Sequence, residues 1–215
     1  NRLAIQLEEY PRFAWFVENG TRIMTQTNRE PRKTQFWDST TGKEIAPEII
    51  HAEGSSRFSL SSDGRQLLVA GDDNILRMWD THTGEELFEA KPQVGTIARV
   101  QFVDNSAKYV VMRDSAPTAL ITLMDTKTHE KIWQSGSVNM REAETKHMLF
   151  SPRGDRFAVA VELVDKKTDN PRTIYFLHDM ETGKRVAHFD IAGEAAQAKF
   201  TPDGKRLCVA DTVGK

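Results

Sequence analysis

Apolar residues recur along this chain with a period of two, and the short runs they form are punctuated by two kinds of turn. Phe16-x-x-Asn19-Gly20, Leu60-x-x-Asp63-Gly64, Phe150-x-x-Arg153-Gly154 and Phe200-x-x-Asp203-Gly204 share one pattern. Phe102-x-x-Asn105-Ser106 is a degenerate fifth copy without the glycine. Two positions before each large apolar residue stands another: Ala14, Phe58, Val100, Met148 and Ala198. That alternation predicts a half-buried strand running into a tight turn. A strongly apolar strand is expected after the turn, over 67–70, 109–112, 157–161 and 207–210, with a weaker counterpart over 22–25. Helical periodicity is nearly absent; the nearest candidate, 187–199, is interrupted by Gly193 and carries the first strand of the next unit.

The second turn is Asp-x-x-Thr-Gly, found at Asp38, Asp80 and Asp179, with a fourth copy at Asp125 that has His129 in place of glycine. Apolar residues precede each aspartate by two positions, at Phe36, Met78, Leu123 and Leu177, and an aliphatic residue follows at Ile45, Leu87, Ile132 and Val186. An aspartate at the start of such a turn accepts hydrogen bonds from amides two residues on. The glycine then supplies a positive-φ residue, a conformation that histidine tolerates better than most. These aspartates are therefore expected to be turn residues and not paired catalytic acids.

The two sets interleave. Strand, tight turn, strand, loop, strand, Asp turn, strand gives four antiparallel strands per ~40–50 residues, which matches the blade of a β-propeller. The expected fold is all-β, one propeller segment over 1–215. It divides into a partial blade at 1–11, blades at about 12–52, 53–96, 97–143 and 144–194, and a partial blade at 195–215. Residues 1–8 occupy the place of a fourth strand. An open array leaves strand ladders unpaired at both ends, so the remaining blades are expected from a longer parent chain.

Residues 58–80, Phe-Ser-Leu-Ser-Ser-Asp-Gly-Arg-Gln-Leu-Leu-Val-Ala-Gly-Asp-Asp-Asn-Ile-Leu-Arg-Met-Trp-Asp, resemble a WD40 repeat ending in its Trp-Asp dipeptide. Phe36-Trp37-Asp38 is a second such ending, while Met124 and His178 stand where the tryptophan would be. Phe-Ser-Pro-Arg-Gly (150–154) and Phe-Thr-Pro-Asp-Gly (200–204) are similar to hairpins of bacterial WD40 proteins. The resemblance implies a buried network in the second unit through His51, Asp73 and Trp79, with Gly71 at the Ser/Thr place; in the third unit only Asp114 matches. It implies structural roles for Trp37 and for Asp38, Asp80, Asp125 and Asp179. It also implies a binding rim built from the loops after the second and fourth strands.

Composition removes several function classes. Twenty-nine basic against thirty-one acidic residues leaves a net charge of −2, so no global field draws the chain to nucleic acid or an anionic membrane. Apolar runs such as 109–112 are far too short to span a bilayer. A single cysteine excludes an intrachain disulfide or a cysteine-based cluster, and Cys208, mid-strand, is expected to be a small buried residue. The histidines at 51, 82, 129, 147, 178 and 188 lack metal-ligand spacing. Thr41-Gly42-Lys43 and Val213-Gly214-Lys215 lack the earlier glycine of a phosphate loop, and Asp72-Asp73-Asn74 is too short for a calcium loop. Asn19-Gly20-Thr21 reads as a hairpin turn before a glycosylation site. Neither a cofactor nor a metal is expected.

Surface loops remain. Residues 164–173 form the longest, 29–33 its counterpart in the first unit, and 136–146 belongs to the same rim with Arg141. Long loops on a rigid scaffold concentrate binding residues. Arg29, Arg32, Lys33, Lys166, Lys167, Asn170 and Arg172 are the candidate partner-binding residues, expected on one face. Interspersed acids and the lack of an aromatic among them argue against nucleic acid. The expected role is a non-catalytic protein–protein interaction scaffold. The alternative is a regulatory or sensory region of a larger bacterial enzyme such as a serine/threonine protein kinase, to which similar arrays are joined. Low cysteine use favours the cytoplasm while also suiting a bacterial exterior.

Overall fold

Period-2 patterning produces extended chain, and each turn motif folds it back on itself. A computed structural model describes residues 11–27, 30–51, 57–89, 95–115, 118–135, 138–139, 143–165, 170–193 and 195–211. The chain forms two units, Asn1–Arg113 and Asp114–Lys215.

In the first unit, sheet one runs in chain order through β1 (Pro11–Val17), β2 (Arg22–Thr27), β3 (Lys33–Asp38) and β4 (Ile49–Ile50). Sheet two repeats it with β5 (Arg57–Leu60), β6 (Gln66–Ala70), β7 (Leu76–Asp80) and β8 (Glu86–Glu89). All neighbours are antiparallel, and the registers coincide: Ile23 faces Trp37 in sheet one, as Leu67 faces Trp79 in sheet two. Next come β9 (Thr96–Val103) and β10 (Lys108–Ser115), which runs over the boundary between the units. In the second unit, β11 (Thr118–Asp125) pairs with β12 (Lys131–Gln134) and with β13 (Val138–Asn139). The four-stranded sheet of the fourth repeat, sheet four, follows the same order through β14 (Ala143–Phe150), β15 (Arg156–Asp165), β16 (Asn170–Asp179) and β17 (Arg185–Ala192). The final pair is β18 (Ala195–Phe200) and β19 (Leu207–Asp211).

Alternate residues build the cores. In the first unit Val17, Met24, Phe36 and Ile49 of sheet one pack with Leu67 and Val69 of sheet two, and Phe58, Leu60 and Trp79 pack alongside. In the second unit Ala160 and Tyr175 of sheet four meet Ala198 of β18, flanked by Leu149, Ile191, Leu207 and Val209. Trp133, Phe157 and His178 form a stack there, with ring centroids 5.7 and 4.8 Å apart. Thus the histidine at the tryptophan place still acts as a flat packing surface.

Several sequence expectations change. The stretch expected to be weak is a full strand, β2, whose buried residues include Arg22, Thr25, Gln26 and Thr27; hydrogen bonding replaces hydrophobicity as the means of burying it. Cys208 is exposed, because Leu207 and Val209 turn inward and the period of two sends the residue between them outward. The loop at 164–173 is mostly strand, since β15 and β16 pair as far as Asp165 and Asn170. Residues 143–146 belong to β14 and not to a loop. The strand expected over 1–8 lies outside the described residues. In the degenerate turn, Asp104, Asn105 and Ser106 all take positive φ, so Ser106 at 70° does what glycine does elsewhere.

Candidate interaction surface

The four aspartates are consumed locally. Asp38 Oδ1 accepts from the amides of Thr40 and Thr41 at 3.0 and 2.6 Å, and Asp80 Oδ1 from those of His82 and Thr83 at 2.7 and 2.9 Å. Asp125 does the same with Lys127 and Thr128, and Asp179 with Thr182. The next residue adopts positive φ, 69° at Gly42 and 57° at His129, as the turn requires. These amides hold the Asp38 and Asp125 carboxyls below the usual range; at Asp179 the Thr182 hydroxyl leads. At Asp80 partial burial pushes upward, and the amides of Thr83 and His82 outweigh it. Each carboxylate sits in the turn of its own sheet.

The network implied around His51 is not assembled. His51 directly follows β4, its N–H bonds the Arg32 carbonyl at 2.8 Å, and its Nε2 shares a 2.7 Å hydrogen bond with Thr34 of β3. It is therefore a sheet-one residue. Burial, with Arg32 nearby, lowers its pKa to about 4, so the ring is neutral near pH 7. Asp73 accepts from Arg77 at 2.7 Å and from the Ile75 amide. The Trp79 indole N–H is buried without a partner among the described residues, whereas Trp37 donates to Thr25 Oγ1 at 2.8 Å. Register explains the contrast: Thr25 lies two residues beyond Ile23, which faces Trp37, and the matching residue in sheet two is Val69, not Gly71.

Of the seven rim candidates, Arg29, Lys166 and Lys167 lie outside the described residues, and Asn170 is described only in its backbone, paired with Asp165. The other three are engaged. Arg32 pairs with Glu30 at 3.1 Å, Lys33 with Glu48 at 3.2 Å and Arg172 with Asp190 at 3.3 Å. Arg32 and Lys33 belong to the first unit and Arg172 to the second.

Sequence reading missed a buried polar cluster in the first unit. Arg22, 5% exposed, donates to Glu18 at 2.6 Å and to the Thr81 carbonyl at 2.9 Å, and its guanidinium lies 4.5 Å from the Phe36 ring centre. It ties sheet one to the Asp turn of sheet two. Gly64 permits this, because a Cβ there would lie 2.7 Å from Glu18 Cγ. An arginine opening a strand gives no local signal of such a role.

With these sheets and turns defined, solved structures supply the comparison. Hydrazine synthase from Kuenenia stuttgartiensis superposes with a TM-score of 0.69 at 17% identity, covering 97% of this chain and 58% of its own. The β-propeller domain of Cps50 (Swd1) from Myceliophteria thermophila gives 0.69 at 16%, covering 96% and 64% respectively. The fold is that of a β-propeller. Its sheets are blades, and the chain spans about three fifths of the length of these two propeller-bearing chains. No family model matches the sequence. A search of curated proteins finds no relative.

Proposed function

We propose that this propeller segment is a non-catalytic scaffold that presents rim loops to protein partners. The observation that carries the reading is the β15–β16 hairpin. Each of its strands is ten residues long, against five for β6 and β7, so the insertion lengthens a rigid ribbon and does not merely add slack chain. Leu163–Arg172, Val164–Pro171 and Asp165–Asn170 pair beyond Thr173, the last β16 residue paired with β17 before the ribbon ends. A stiff ribbon lowers the entropy lost when it docks, which favours recognition. Lys166, Lys167, Asn170 and Arg172 are placed at or beside its end by sequence. The repeat's aspartates support the reading, since their lone pairs are already committed to turn amides.

The test is a triple variant, Lys166→Ala, Lys167→Ala, Arg172→Ala. The expected outcome is at least a tenfold loss of partner retention in quantitative crosslinking, with the melting temperature unchanged within about 2 °C, because surface substitutions shift stability little. Retention equal to that of the parent chain overturns the rim assignment.

A further inference from the structure

The geometry points to a second contact site, a pocket between the inner hairpins of the first two blades that takes an uncharged, apolar side chain of a protein partner. The inference rests on the interaction reading above and gives it a recognition chemistry. The pocket has a volume of about 430 Å³, and Trp15, Phe16, Met24, Phe58 and Leu60 line it together with Ser62 and Glu18. That size falls within the range of sites that bind a ligand group, and a lining of aromatic and aliphatic side chains with a few polar groups is what such sites show.

Internal repetition supplies the control. The large apolar residue at or next to the end of the first strand of each repeat is Phe16, Leu60, Phe102, Phe150 or Phe200, so its apolar character recurs with the repeat. The preceding position is Trp15 in the first unit, but Ser59, Gln101, Leu149 and Lys199 in the others. Three positions before the large residue, Phe13 corresponds to Arg57, Arg99, His147 and Gln197. The propeller architecture therefore does not ask for aromatic residues at these two places. Both are nonetheless exposed, Phe13 at 39% and Trp15 at 37%. They contact each other at 5.0 Å between centroids, and Trp15 meets Phe58 edge-on at 5.2 Å. Exposed tryptophan beside a pocket is the residue type that dominates interface energetics.

Charge selects the occupant. Among the described lining residues Glu18 is the one that is charged, and its carboxylate is engaged by Arg22 at 2.6 Å with His82 at 3.3 Å. Among the described lining residues no uncommitted charge remains to repay the desolvation of a charged ligand. A leucine, methionine or phenylalanine side chain meets the walls without that penalty.

The experiment is an NMR titration of the full chain with N-acetyl-leucinamide, N-acetyl-phenylalaninamide, N-acetyl-lysinamide and the negatively charged N-acetyl-aspartate amide as probes. The Trp15 indole signal is assigned by its loss in Trp15→Phe. Saturable shifts of that signal and of the Ser62 amide are expected with the two apolar probes and not with the charged ones. Trp15→Ala should weaken the apparent Kd at least tenfold while leaving the fold's amide dispersion intact. If that variant does not fold, Phe13→Ser is the second, with the same expected direction. No shift with any probe, or equal shifts with all four, overturns the proposal. So does a shift that appears on concentrating the protein without probe, which would assign the pocket to a second copy of the chain. The rim variants should leave this titration unchanged, so the pocket and the rim stand or fall separately.

Discussion

Blades one and two share a strand order, a register and two turn motifs, yet they satisfy their buried polar groups in different ways. In blade one the Trp37 indole donates to Thr25, and the neighbouring Thr34 engages His51. In blade two the same register position holds Val69, and the buried Trp79 indole N–H has no partner among the described residues. Blade one also buries Arg22 where blade two has the half-buried Gln66, each facing the aspartate of its own turn. Blade two, the closer match to a WD40 repeat in sequence, is thus the one with the unsatisfied tryptophan. Motif similarity reports the turns and the aromatic, whereas the network depends on what stands across the strand from it.

The largest effect that would sharpen this comparison comes from Arg22→Ala. The buried guanidinium loses charge-assisted hydrogen bonds to the partly buried Glu18 and to the Thr81 carbonyl, worth about 1.5–3 kcal/mol each, whereas Gln66→Ala at the matching place should cost less than about 1 kcal/mol. Urea unfolding of both variants checks the difference. Equal losses would mean that the cluster of Arg22, Glu18 and Thr81 contributes nothing special.

Next is the pH response of His51. Burial lowers its pKa from 6.5 to about 4, so the folded protein binds this proton more weakly than the unfolded chain. Its contribution is complete above about pH 6.5 and is lost as the pH falls toward 4, a range worth roughly 3 kcal/mol. His51→Gln should flatten stability across that window. An unchanged slope would show that another group controls it.

The tryptophans give a smaller, reciprocal pair. Thr25→Val leaves the Trp37 N–H without an acceptor and should destabilise by about 1–2 kcal/mol. Val69→Thr offers Trp79 the acceptor it lacks and should stabilise by about 0.5–1 kcal/mol. Chemical denaturation measures both, and a melting point that falls with Val69→Thr would break the proposed equivalence of the two blades.

The legible part of the molecule is local. Asp38, Asp80, Asp125 and Asp179 announce their turns because donor and acceptor lie within three residues of each other. Strand positions follow from a period of two for the same reason. What escaped was set by partners distant in sequence. Arg22 reaches Thr81 across 59 residues, and Trp133 donates to the Met180 carbonyl across 47. Cys208 and β2 escaped differently: their apolar or polar character did not report which face the sheet would bury.

The amino-acid sequence by itself determined the all-β repeat, the order of strands within each blade and the turn chemistry, since hydrogen bonds over a few residues and alternating hydrophobicity need no tertiary context. Only the tertiary structure decided the rest: pairing between strands set which indole finds an acceptor, and packing of sheet on sheet set which arginine is buried and where Trp15 forms a pocket wall. Those outcomes depend on side chains brought together by register between strands, and no spacing along the chain encodes that register alone.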